Sequence, residues 1–196
     1  MPISSRRCTL ERLLTEMHYV LESGAWEHIM SEKVSGYSRL QVGLHWAVAI
    51  LVAFQFLAHN AIETAWNNDL NGISPSENTD VLVYMHVAGG LLILALALCR
   101  IYLRITRGAP EPPADEPHIM KIASEGVHGL IYVVLLSLPA SGAIAWFFDI
   151  KLAGVAHEYL QAILLGLIAA HIAGALFQHL VRRSDVMMRM FAPDKA

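Results

Sequence analysis

Ten histidines occur among the 196 residues, and six of them stand in or at the ends of long apolar runs: His45, His59, His86, His128, His157 and His171. His179 sits at the border of the last run. An ionisable ring in hydrocarbon is costly and marks function by default. From His157 to His171 is 14 positions, which on an α-helix returns to within about 40° of the same face after about 21 Å of rise. One helix thus carries two imidazoles on one stripe, one near each membrane surface. His45 opens the first run at the depth of His171, and His86 opens the second at the depth of His157. His59 follows His45 by the same 14 positions, so spacing leaves His59 and His86 as alternatives for the outer pair. Two level imidazoles suit a planar macrocycle whose iron is bound axially from both sides, and an iron with no open position suits electron transfer better than oxygen chemistry. Zinc prefers four ligands clustered tetrahedrally, whereas these pairs lie most of a membrane apart. A histidine-lined metal or proton transporter is a third reading that needs no haem.

The elements that must position these rings follow from composition. Apolar residues make up 55% and charged residues 16% of the chain, with a mean hydropathy of +0.46, so the bilayer is its natural solvent. A span needs about 20 largely apolar residues, and four stretches qualify: Val42 to Ala61, Val81 to Leu103, Ile122 to Phe148 and Leu152 to Val181. The fold class expected is an all-α membrane protein, a four-helix transmembrane bundle. NAIETAWNNDLNGISPSENTD between the first two runs reads as a loop, and RITRGAPEPPADEPH between the second and third as a stiff connector. Asp149, Ile150 and Lys151 alone join the last two runs, which should therefore be antiparallel neighbours. Of the 14 Lys and Arg residues, only Lys151 falls on the opposite side from the others, which places both termini in the cytoplasm.

Residues 1–36 form a separate N-terminal extension. They lack the apolar core of a cleaved leader, so the first span serves as the targeting signal. Leu10, Leu13, Leu14, Met17 and Leu21 recur at helical spacing, as in an amphipathic helix lying on the membrane; Met30 is an alternative start. Cys8 and Cys99 offer no disulfide framework, and a net charge of −3 leaves no footprint for nucleic acid. Gly43, Gly89, Gly90, Gly154 and Gly174 flank the histidines, where a macrocycle needs close approach to backbone, although glycine also serves helix packing. Pro139 should bend the third span, and Trp46, Trp66 and Trp146 read as interfacial anchors.

YSRLQVGLHW at 37–46, YMHVAGGLLILALALCRIYLR at 84–104, GVHGLIYVVLLSLPASG at 126–142, AHEYLQ at 156–161 and GLIAAHIAGALFQH at 166–179 together resemble the bacterial cytochrome b561 family, related to the cytochrome b subunits of nickel–iron hydrogenases and formate dehydrogenases. The resemblance covers about residues 37–192. It implies a bacterial inner membrane protein of four helices holding two haem b groups, with ligands on the first, second and fourth helices, and electron exchange with quinone. Carried over by position, the iron ligands are His45 and His171 for an inner haem, and His86 and His157 for an outer one. His59 becomes the lesser candidate. His128 matches a family position near the inner haem, as a quinone-site or neighbouring residue, and Arg39 is a candidate partner of a haem propionate. Arg100 or Arg104 could pair with a propionate as well, but both read first as anchors at the headgroups. Some family members resemble superoxide:quinone oxidoreductases, but an anionic donor favours a positive approach surface, and Glu63, Asp69, Glu77, Asp80, Asp149 and Glu158 outnumber Lys151 outside. A basic protein donor, a neutral quinol or a covering partner subunit is the expectation. Whether the chain works alone, as a homodimer, or as the haem-bearing anchor of a larger redox complex stays open.

Overall fold

The computed structural model describes residues 36–73, 77–113 and 115–192; the proposed amphipathic segment and the alternative start at Met30 lie outside the described residues. Among the described residues five α-helices and one short 3-10 turn follow one another: α1 (Arg39–Leu57), α2 (His59–Leu70), α3 (Glu77–Arg107), α4 (His118–Phe148), α5 (Lys151–Leu180) and a turn at Met188–Met190. Four of them, α1, α3, α4 and α5, are long and apolar enough to cross a membrane. Together they make a four-helix membrane bundle. Apolar residues surround each helix, and only 6% of the most apolar stretch of α5 is buried within the protein. Such helices are stable where the surrounding medium is itself apolar.

The helix ends obey local chemistry. Ser38 caps α1: its Oγ accepts the Gln41 N–H at 3.2 Å while Gln41 Oε1 accepts the Ser38 N–H at 3.0 Å, so the S-R-L-Q run is a capping box. The Gln41 amide then donates to the Gly108 carbonyl just past α3, at 3.1 Å. Gly108 adopts φ +79°, a left-handed conformation that glycine takes without strain and that stops a helix. Asp149 ends α4 in the same region, at φ 53°, one of the few side chains that tolerates it. The turn to α5 is as tight as its length predicts.

One reading of the sequence is corrected. Residues 59–70 form a helix rather than a loop, and the first membrane helix ends at Leu57 instead of Ala61. Asparagine-rich composition suggested the loop, but the segment holds no Gly or Pro, and Ile62, Ala65 and Trp66 recur at helical spacing. Ala65 is buried, and Trp66 packs over Gly154 of α5. A tertiary contact has overridden weak local propensity.

Packing runs α1 to α3, α3 to α4 and α4 to α5, while α5 makes no extensive contact with α1 or α3. At mid-height Val48, Val52, Ile93, Ala97, Val134, Leu135 and Leu164 form the buried core. The end of the bundle that carries the 108–117 connector and the C-terminal segment is called the tail end below, and the opposite one the α2 end. At the tail end, Arg182 pairs with Asp115 at 2.9 Å, Gln178 bonds Glu116, Arg189 donates to the Glu111 carbonyl at 2.9 Å, and the Trp46 indole donates to the Met190 carbonyl at 2.9 Å. Trp46 is thereby tied to protein.

Candidate haem-binding sites

Two pairs of imidazoles face each other across the gaps that α5 leaves. At the tail end His45 of α1 and His171 of α5 have ring centroids 6.2 Å apart. At the α2 end His86 of α3 and His157 of α5 are 6.3 Å apart. Leu164, 1% exposed, lies midway between the two α5 histidines, so an apolar layer separates the sites.

The separations test what fits between the rings. A metal–imidazole bond of about 2.0–2.1 Å, with the ring centre roughly 1.1 Å behind the nitrogen, puts two rings on opposite sides of one metal about 6.3 Å apart. Ligands at a tetrahedral angle would stand closer, at about 5.1 Å by the same lengths. Both separations are those that two imidazoles would need to hold one metal between them.

His157 is the better fixed of the α2-end rings. Its Nδ1 lies 2.8 Å from the Leu138 carbonyl, which only accepts, so Nδ1 carries the proton and Nε2 keeps its lone pair for a metal. Leu138 precedes Pro139, which stays inside α4. Gly142 makes room for the ring: a Cβ there would lie 2.8 Å from His157 Cε1. His86 Nδ1 is buried without a hydrogen-bond partner among the described residues, and its backbone carbonyl accepts the Gln55 amide at 2.9 Å. The two rings line a cavity of ≈ 110 Å³ that is partly open to the outside. Trp66, Trp146 and Glu63 complete its wall.

His59 also lines this cavity, but on α2. The break at Ala58 interrupts the helix between His45 and His59, so their 14-residue interval no longer measures a continuous stripe. His59 Nε2 lies 3.7 Å from Glu63 Oε2, one turn along α2.

At the tail end a third ring joins the pair. His128 of α4 stands edge-on to His171, centroids 4.9 Å apart, with Nδ1 2.6 Å from the Ser124 carbonyl. That distance is too short for the two to be opposite ligands of one iron. Trp46 closes the other flank, edge-on to His45 at 5.4 Å and 5.1 Å from Phe191. Arg39 is exposed at the first position of α1.

Of the glycines singled out by sequence, Gly89 is filled by the Gln55 side chain and Gly154 by Trp66, whereas Gly43 and Gly174 have no neighbour within 4 Å of an added Cβ. Gly142 is the one that touches a paired histidine. Sequence reasoning missed it because it looks from one helix to its neighbour, and Gly142 is far from His157 along the chain.

Residues 36–193 match the prokaryotic cytochrome b561 family. The chain belongs to that family. The cytochrome is similar to cytochrome b562 of Cereibacter sphaeroides, 35% identical over 161 residues that cover 81% of this chain and 96% of the relative. It also resembles a probable superoxide oxidase, CybB, of Yersinia pestis, 27% identical over 79% of this chain and 94% of the relative. Cytochrome b561 homolog 1 of Escherichia coli K12 is 25% identical over 79% and 96%. The cytochrome is therefore a multi-pass bacterial inner membrane protein that binds haem b and transfers electrons. Because His86, and not His59, faces His157, His59→Ala should leave the haem content per chain unchanged in a pyridine haemochrome assay. Loss of a haem in that variant would reverse the assignment.

Proposed function

We propose that the cytochrome holds two b haems, one between His45 and His171 and one between His86 and His157, and carries electrons between a donor at the α2 end and quinone. The observation that carries this reading is the pair of ring separations, 6.2 and 6.3 Å, each matching two axial imidazoles on one metal. When bound, such a haem supplies a one-electron couple at an iron closed on both faces.

The chain's residues do the positioning. The Leu138 carbonyl holds the His157 proton on Nδ1 and so presents Nε2 to the metal. Gly142 lets the ring approach α4. The core around Leu164 keeps water and ions from joining the two sites. His128, proton on Nδ1, keeps Nε2 as an acceptor beside His171 and serves the quinone site. Lys and Arg crowd the tail end, so this end faces the cytoplasm, and residues 37–192 are the di-haem domain.

The α2 end then faces outward, where Glu63, Asp69, Asp149 and Glu158 are exposed against Lys151. An acidic surface slows an anion such as superoxide and speeds a basic protein. A basic electron-carrying protein or a neutral quinol is the donor this surface suits, and a covering partner subunit suits it equally.

Purified cytochrome reduced with dithionite should show an absorption band at roughly 560 nm and two haems per chain. A preparation without two haems per chain would overturn the two-haem reading. Mixing the oxidised protein separately with superoxide, quinol and a basic redox protein, and timing the growth of that band, then identifies the donor.

A further inference from the structure

Arg100 follows His86 in α3 by 14 positions, the interval that separates His157 from His171 in α5. The helical arithmetic that sets two imidazoles at two depths on α5 thus sets an imidazole and a guanidinium at those depths on α3. Arg100 stands seven positions before the end of α3 at Arg107, about 10 Å into the span, which is deep for a headgroup anchor. Its Nη1 is buried and has no hydrogen-bond partner among the described residues. No carboxylate lies within ion-pair distance of it among the described residues. Its guanidinium carbon is 6.0 Å from the centre of the Tyr132 ring. A cation left uncompensated inside a span is strongly disfavoured, and a buried donor without a partner calls for an explanation.

We propose that Arg100 is the counter-charge of the cofactor held between His45 and His171: its free Nη1–H donates to a carboxylate of that haem, and its positive charge raises the reduction potential of the tail-end site. This rests on the haem reading above. Guanidinium pairs with carboxylate more strongly than neutral donors do, and a fixed cation in a low-dielectric setting favours the state that has gained an electron. The α2-end cavity has the opposite bias, since the charged residues in its wall are Glu63 and Glu158. The two sites therefore differ in potential, and electrons run from the α2 end to the tail end. That transfer oxidises one iron couple and reduces the other by a single electron, with no bond made or broken.

The test is a potentiometric titration of the haem-loaded protein, wild type against R100M and R100K, with the tail-end couple identified as the one that H86A retains. R100M should lower the ratio of reduced to oxidised tail-end haem at least tenfold at fixed ambient potential, a downward shift of about 59 mV per tenfold for a one-electron couple. R100K keeps the charge and should stay within about threefold of wild type, losing only the planar fork. Selective loss of the tail-end haem in R100M also supports the proposal. Two bound haems with unchanged potentials, or an equal shift of both, would overturn it, whereas absence of haem from the wild type would overturn the underlying reading instead. If R100M does not accumulate, infrared difference spectra of wild-type protein carrying isotope-labelled arginine decide the matter. Guanidinium bands should respond at the potential of the tail-end couple, and a silent arginine region would refute the assignment.

Discussion

His171→Ala is expected to reduce the haem content from two per chain to one and to stop electron flow through the tail end. Among the described residues, His171 is one of only two rings that meet there at the separation two imidazoles would need to hold one metal between them. Loss of a group that merely orients a ligand lowers metal affinity by about 10–100-fold, so loss of the ligand itself should exceed about 100-fold. His128 cannot take its place without rearrangement. Its Nδ1 is held by the Ser124 carbonyl, and its ring lies beside His171 rather than across from His45. The remaining haem should keep the spectrum and potential of the α2-end site. A pyridine haemochrome assay with a redox titration reads both quantities, and an H171A protein that still carries two haems would remove His171 from the ligand set. H179A is the matched control, since His179 lies at the end of α5 and outside both ring pairs.

Gly142→Val should be the mirror image, emptying the α2-end site and sparing the tail end. A Cβ at this position would lie 2.8 Å from His157 Cε1 and 2.9 Å from its Nδ1, closer than side chains approach one another. The ring has little freedom to yield, because its Nδ1 donates to Leu138 on the same helix that carries the added bulk. Moving His157 away breaks that bond and carries Nε2 off the axis shared with His86. Overpacking of this kind costs about 1–3 kcal/mol in a protein core, and here the strain falls on a ligand. The α2-end haem should bind about 100-fold more weakly or be lost, with G142A intermediate. Haem stoichiometry and the surviving midpoint potential distinguish this from general misfolding, in which both sites would empty together. A G142V protein with two haems at wild-type potentials would mean that His157 does not hold the position described.

These expectations show which parts of the molecule can be read from residue order. The four membrane helices were legible because a span is a long run of one property, and the ends of α3, α4 and α5 lie within a few residues of the apolar limits. The facing rings on α5 were legible from a 14-residue interval within one unbroken helix. The same interval misleads at His59, where α1 stops at Leu57 and α2 begins a new axis. Helix α2 itself was hidden because asparagine and aspartate favour turns locally, and only the contact of Trp66 with Gly154 reveals why the segment is helical. Gly142 was hidden for a different reason: its meaning lies in what a neighbouring helix brings to it. Arg100 was legible as a residue that could pair with a propionate, but only the structure, where its Nη1 is buried without a partner among the described residues, raises that reading above a headgroup anchor. Family membership followed from the order of several short stretches, none of which is specific by itself.

The bond from Trp46 to the Met190 carbonyl joins residues 144 apart in sequence. At translation rates of about 5–20 residues per second, Trp46 waits on the order of 7–30 s for its partner to be made. Throughout that interval the first helix can occupy the membrane while the flank of His45 stays uncovered. Arrival of Met190 and Phe191 then closes it. Residues 188–191 therefore form a clasp made only after all four membrane helices have been synthesised, and on the two-haem reading the tail-end site stays open to its haem until the clasp shuts.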